Sequence, residues 1–208
     1  MITIIDYGAG NIKSIRNMLK KIGQQSVISN HPEEIARAEK LILPGVGHFD
    51  YGMRSLRASG LIEVLNTTVL QNKTPLLGIC LGAQLLGNSS EEGEEPGLGW
   101  IDMEVVKFDI NQMDDRLKIP HMGWSEIEIK QKSNLLINLE KEARFYFVHS
   151  FHMKTVNEKD ILTSTYYGYE FTSAVKKDNI FGVQFHPEKS HTAGLTLLRN
   201  FSAWSPGA

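Results

Sequence analysis

Cys80 is the one cysteine among 208 residues, and its neighbours decide whether the thiol does chemistry. A lone cysteine can form neither an internal disulfide nor a thiolate metal cluster, so it is either buried and inert or a reactive thiol. It lies in Gly78-Ile79-Cys80-Leu81-Gly82-Ala83-Gln84, after an apolar strand pattern and before a helical run over Ala83 to Leu86. Small residues on both sides let a chain turn sharply from strand to helix and present the side chain at the turn. The start of the following helix would favour a thiolate, and the Leu81 backbone N–H would point where a tetrahedral oxyanion forms. The flanking glycines favour the nucleophile over the inert residue.

A cysteine nucleophile needs a base, and seven histidines compete for the role. His31 and His48 fall in loops of the first half, and His191 falls in or beside the last helix. His149 and His152, three apart on an extended strand, should point to opposite faces, which argues against a metal pair, and no metal or cofactor site is expected. His186 ends the buried strand of Gly182-Val183-Gln184-Phe185-His186-Pro187-Glu188, at the same sheet edge as Cys80. A strand-end histidine can be a plain polar terminus. Beside the cysteine turn, however, Glu188 can accept its second ring N–H and complete a Cys–His–Glu set.

Pro44-Gly45-Val46-Gly47 also follows a strand, and Val46 N–H is a candidate second oxyanion donor beside Leu81 N–H; the alternative is a plain turn. Gly8-Ala9-Gly10-Asn11 lacks the third glycine and the acidic residue of a dinucleotide loop, which argues against a nucleotide there. Trp124, in the glycine-containing segment Pro120-His121-Met122-Gly123-Trp124 read as a loop, is either core or an interface anchor.

These residues need elements to hold them. Strands are predicted at Ile2 to Ile5, around Val27-Ile28, at Lys40 to Leu43 and at Pro75 to Ile79, alternating with helices capped near Asn11, over Pro32 to Ala38 and over Tyr51 to Gln71. That alternation implies parallel βαβ units, whose ligand crevice lies beyond the carboxyl ends of the strands. The second half is rich in strands: Met103 to Phe108, Ser125 to Ile129, Arg144 to His149, Ile161 to Thr165, Phe171 to Ala174 and Ile180 to Phe185. An amphipathic helix carrying Leu195, Leu197, Leu198 and Phe201 closes the chain. The acidic run Ser89 to Gly97 reads as a solvated loop. Without a linker or repeat, residues 1–208 form a single predicted domain.

The formal charge of −2, with 22% charged and 41% hydrophobic residues, argues against nucleic acid and a polybasic membrane patch as partners. Small molecules or proteins are the expected partners. No apolar run is long enough to span a bilayer and no leader pattern opens the chain, so a cytoplasmic location is predicted.

Together, Pro44 to Gly47, Gly78 to Gln84, Pro120 to Trp124 and His186-Pro187-Glu188-Lys189-Ser190 resemble the class I glutamine amidotransferases, and within them the HisH family of glutaminase subunits of imidazole glycerol phosphate synthase. The resemblance runs from Ile5-Asp6-Tyr7-Gly8-Ala9-Gly10-Asn11 to the last helix. It implies an α/β three-layer fold with a mostly parallel central sheet flanked by helices and extended by antiparallel strands. It also implies hydrolysis of L-glutamine through a thioester on Cys80, with Gly45, Gln84, Ser150 and Phe151 matching substrate positions. The ammonia would pass to a (β/α)8-barrel cyclase subunit of the HisF type in a heterodimer, with Asn11, Trp124 and Lys189 matching interface positions. Ser125 and Phe151 depart from the family's usual Asn and Tyr. Leu98 to Asp102 and Glu188 to His191 also look like a paralogue from surface-polysaccharide clusters, which supplies ammonia for sugar amidination.

Overall fold

The structure is a computed structural model describing residues 1–114, 116–140 and 142–205; positions 115, 141 and 206–208 of the expected domain lie outside the described residues. Strand β1 (Ile2–Ile5) leads to helix α1 (Ile12–Lys21), which stops where Gly23 takes φ +77°. Asn11 occupies the cap position, but its side chain makes no cap hydrogen bond. Strand β2 (Ser26–Ser29), helix α2 (Pro32–Ala36) and strand β3 (Lys40–Leu43) follow. The predicted helical stretch is α3 (Phe49–Ala58), α4 (Ile62–Leu65) and a π-helical turn, Asn66–Gln71. Strand β4 (Leu76–Ile79) then delivers Cys80, and α5 (Leu81–Gln84) follows at once.

The later half contains β5 (Ser89–Ser90), β6 (Met103–Lys107), β7 (His121–Glu126), β8 (Glu128–Ile129), β9 (Arg144–His149), β10 (Phe151–Thr155), β11 (Ile161–Tyr167), β12 (Tyr169–Lys177) and β13 (Ile180–Val183), before helix α6 (His191–Ala203). Three expectations change here. Pro120 to Trp124 is not a loop, because His121 to Glu126 pair with β9 in a separate two-stranded sheet. The predicted strand Ser125 to Ile129 is accordingly split between β7 and β8. Strand β10, which sequence alone did not suggest, begins one residue after β9 ends.

The main sheet runs β2-β1-β3-β4-β13-β12-β10-β6-β5. Its first five strands are parallel, and β12, β10 and β6 extend it with antiparallel pairings. Alternate residues of one strand enter different cores: Ile4, Ile42, Leu77 and Phe181 pack with α1 and α6, whereas Ile5, Leu41, Leu76 and Ile180 pack beneath α2 to α5. Apolar burial on both faces makes three layers, as predicted, with the carboxyl ends of β1, β3, β4 and β13 along one edge. Among the described residues, no helix is long and apolar enough to cross a membrane.

Candidate active site

Cys80 takes φ +53° and ψ −114°, a region that side-chain-bearing residues enter at a cost of about 1–3 kcal/mol. The turn is held from both sides. The Cys80 N–H donates to the Val183 carbonyl at 2.8 Å, and the Cys80 carbonyl accepts from Ala83 and Gln84. A Cβ on Gly82 would lie 2.0 Å from the Leu43 carbonyl oxygen, and one on Gly78 2.8 Å from Ala83 Cα. Both flanking glycines are therefore demanded by contact between β3, β4 and the turn. The helix after Cys80 is one turn long, so the expected contribution from a helix dipole is small and the aligned N–H groups of the turn itself remain.

His186 follows β13 and is buried. Its Nδ1 pairs with Glu188 Oε1 at 2.9 Å, and both side chains are 1% exposed. Since a carboxylate only accepts, Nδ1 carries the hydrogen, and Nε2 is left buried without a hydrogen-bond partner. Burial alone pushes the His186 pKa down, but the neighbouring Cys80 sulfur and Glu188 carboxylate outweigh it and lift the value to about 10. The backbone is braced: the His186 N–H donates to the Tyr146 carbonyl, and the Ser190 hydroxyl accepts from the Tyr146 N–H while donating to the His186 carbonyl.

These groups face a cavity of about 490 Å³ whose wall includes Asn11, Val46, Cys80, Leu81, Gln84, Ser150, Phe151, His186 and Lys189. Gly45 stands behind that wall, where a Cβ would lie 2.4 Å from the Gly82 N and 2.7 Å from the Leu81 Cβ. Its contact seats the Pro44 to Gly47 segment against the cysteine turn, so the two candidate oxyanion donors sit on abutting stretches of backbone. Tyr7 fixes the base of that segment by donating its hydroxyl to the Pro44 carbonyl at 2.7 Å. Trp124 does not line the cavity; it is 43% exposed and stacks on His191 with ring centroids 5.2 Å apart.

Three residues of the site, Glu92, Gln184 and Tyr7, were not anticipated from sequence. Glu92 reaches the cavity wall and accepts the Phe49 N–H at the start of α3, so the acidic run is not simply solvated. Asp50 accepts the Glu95 N–H and Arg57 pairs with Glu95, tying the run to α3. His149 also lines the cavity. Gln184 is fully buried, accepts one Gln84 N–H at 3.1 Å and places its own amide nitrogen 3.9 Å from Cys80 Sγ. The expectation that His149 and His152 face opposite ways also fails, because the chain breaks between β9 and β10 and both rings pack on Phe108, at 5.2 and 4.8 Å. Among the described residues no group of His, Cys, Asp or Glu is arranged to hold a metal ion.

A three-layer α/β fold with a strained cysteine at a strand-to-helix turn and a histidine–carboxylate pair on the adjacent strand defines a thiol-nucleophile enzyme class. Residues 3–203 match the family model described as glutamine amidotransferase class-I. The chain is 57% identical to imidazole glycerol phosphate synthase subunit HisH 2 of Methanococcus maripaludis, over 97% of this chain and 98% of that protein. It is 53% identical to subunit HisH 2 of Pseudomonas aeruginosa, over 97% and 98%, and 47% identical to subunit HisH of Leptospira interrogans, over 98% and 100%. A crystal structure titled glutamine amidotransferase superposes with a TM-score of 0.74 at 19% identity, covering 97% of both chains. A Trypanosoma brucei CTPS glutaminase domain with bound acivicin gives a TM-score of 0.66 at 16% identity, covering 98% of this chain and 94% of that one. The protein belongs to the class-I glutamine amidotransferase family, as the motif resemblance implied.

Proposed function

We propose that this protein is the glutaminase subunit of an imidazole glycerol phosphate synthase, hydrolysing L-glutamine and passing the ammonia to a (β/α)8-barrel cyclase subunit of the HisF type. One observation carries the reading: the strained Cys80, the unpartnered Nε2 of His186 and a cavity open to both meet in a chain more than half identical to a HisH subunit. Cys80 is the nucleophile, His186 the acid–base and Glu188 its orienting partner. The thiol proton passes to His186 Nε2, and the sulfur attacks the side-chain amide carbon of glutamine. The oxyanion forms against the N–H groups of Leu81 and Val46. Collapse breaks the carbon–nitrogen bond, His186 returns its proton to the departing nitrogen, and ammonia leaves a γ-glutamyl thioester on Cys80. Water, deprotonated by His186, then cleaves the thioester to glutamate and regenerates the thiol.

The cavity wall supports a site for the amino-acid end. Both Gln84 N–H groups are spent, on the Phe151 carbonyl and on Gln184, leaving the Gln84 side-chain oxygen to accept from an ammonium. Glu92 supplies a carboxylate on the same wall for that cation, and Gly45, Ser150 and Phe151 shape the remaining surface. The partner-facing surface is assigned to Asn11, Trp124 and Lys189. Met122 and Trp124 share one face of β7 and stay exposed, at 61% and 43%, as an unpaired anchor face should. Residues 1–208 act as one cytoplasmic glutaminase domain without a cofactor.

In the complex with its cognate barrel subunit, Cys80→Ala should abolish glutamate release from glutamine; undiminished release would overturn the proposal. The acceptor is tested separately, by complementing an auxotroph that lacks the histidine-pathway glutaminase. The second reading, sugar amidination, rests only on the likeness of Leu98 to Asp102 and Glu188 to His191 to the polysaccharide paralogue. Failure to complement, with glutamine hydrolysis intact, would select it.

A further inference from the structure

A buried hydrogen-bond chain runs from the β7 edge to the cavity and is not used by the reaction steps. The Phe151 carbonyl accepts from two donors, Gln84 Nε2 at 3.1 Å and His149 Nδ1 at 2.7 Å. A carbonyl cannot donate, so Nδ1 of His149 carries the hydrogen. Burial, with lesser help from His121, holds the His149 pKa well below 6.5, so its Nε2 bears a lone pair at neutral pH. That lone pair accepts from His121 Nδ1 at 3.0 Å. His121 is kept neutral in turn, since burial lowers its pKa to about 4, and its Nε2 accepts from the Ser125 hydroxyl at 2.9 Å. Between these two residues Gly123 takes φ +138°, a bend suited to glycine. Phe147 and Tyr167 stack on the His121 ring at 4.8 and 4.0 Å, confining its plane.

Donor and acceptor are thus fixed at every link. We propose that Ser125, acting through His121 and His149, is a positioning residue for the Phe151 carbonyl and so for the orientation of the Gln84 amide that faces the glutamine ammonium. The inference rests on the glutaminase reading. Its physical content is directional: if the Phe151 carbonyl turns away, Gln84 loses a reason to keep its oxygen toward the cavity. A reversed amide would present N–H groups to a cation.

The test compares Ser125→Ala and Ser125→Thr with wild type, each as the complete chain with its cognate barrel subunit. Ser125→Ala should raise the KM for glutamine roughly three- to tenfold, as one lost hydrogen bond converts, with kcat within about twofold. Ser125→Thr, which keeps the hydroxyl, should restore it. Ring-nitrogen NMR of isotope-labelled histidine should show His149 as the Nδ1–H form in both proteins, with the His121 and His149 ring signals displaced in Ser125→Ala and returned in Ser125→Thr. An unchanged KM in the alanine variant, or unchanged His149 ring signals, overturns the inference. Absence of glutamine hydrolysis by the wild-type complex would remove the glutaminase reading instead, and the ring signals would then decide alone whether Ser125 acts on His149 through the chain.

Discussion

At Cys80 the backbone is strained, and the strain has a chemical return: sulfur is presented at the cavity while its own N–H and carbonyl stay engaged with Val183, Ala83 and Gln84. His186 is the complementary group: Glu188 and the Cys80 sulfur raise its proton affinity, which suits the proposed uptake of the thiol proton at Nε2 and its return to departing ammonia. Glu92 is the residue whose role is open to the most direct test. Its carboxylate accepts from Phe49 N–H at 2.8 Å and faces the cavity. Glu92→Gln retains an oxygen for Phe49 but removes the charge. We expect the KM for glutamine to rise by about tenfold or more, the value of one charge-assisted contact, with kcat changed only a few-fold. Steady-state glutamate release measures both, and a KM equal to wild type would assign the ammonium to other groups.

The elements divide into those written locally and those made by distant pairing. β1, β3, β4 and the turn at Cys80 were legible because a short apolar run followed closely by glycine specifies strand and turn within a few consecutive residues. His186 and Glu188 were legible for the same reason, being two residues apart. Glu92 was not: it reaches the cavity because β5 pairs in parallel with β6 and residues beyond it fold onto α3, contacts with no spacing signature. Nor was the His121–His149 pair, which exists only through the β7–β9 register. Trp124 was placed in a loop because Gly123 mimics a turn, whereas cross-strand bonds hold that segment extended. Contact between elements also sets a limit on substitution. Gly82→Ala would drive a methyl group against the Leu43 carbonyl, backbone against backbone, with no flexible side chain to yield. The expected loss is about 3 kcal/mol or more, read as a lower urea midpoint at unchanged slope. A variant as stable as wild type would mean that β3 and the cysteine turn are free to separate.

Across the whole molecule, proton binding ties the buried histidines to stability. Burial lowers the pKa of His121 to about 4, of His149 well below 6.5, and that of His152 as well, whereas all three take up protons near 6.5 once unfolded. Between about pH 6.5 and 4 the unfolded chain therefore binds more protons than the folded one, and folding stability falls as pH falls. Each such proton contributes a slope of at most about 1.4 kcal/mol per pH unit. His186 has the opposite sign. Its pKa is raised on folding, so its contribution is complete below about 6.5 and is lost as pH rises toward 10. The carboxylates held below their usual range, Asp50 and Asp109 among them, act only at more acid pH. Stability should accordingly peak near neutrality and drop on going to pH 5, before carboxylate protonation contributes appreciably. Urea unfolding followed at pH 7 and pH 5 checks this. His152→Gln should reduce the drop by keeping a hydrogen-bonding side chain near the Tyr169 hydroxyl while removing the titration. Equal stability at the two pH values would show that the histidine cluster opens to water and takes up protons without unfolding.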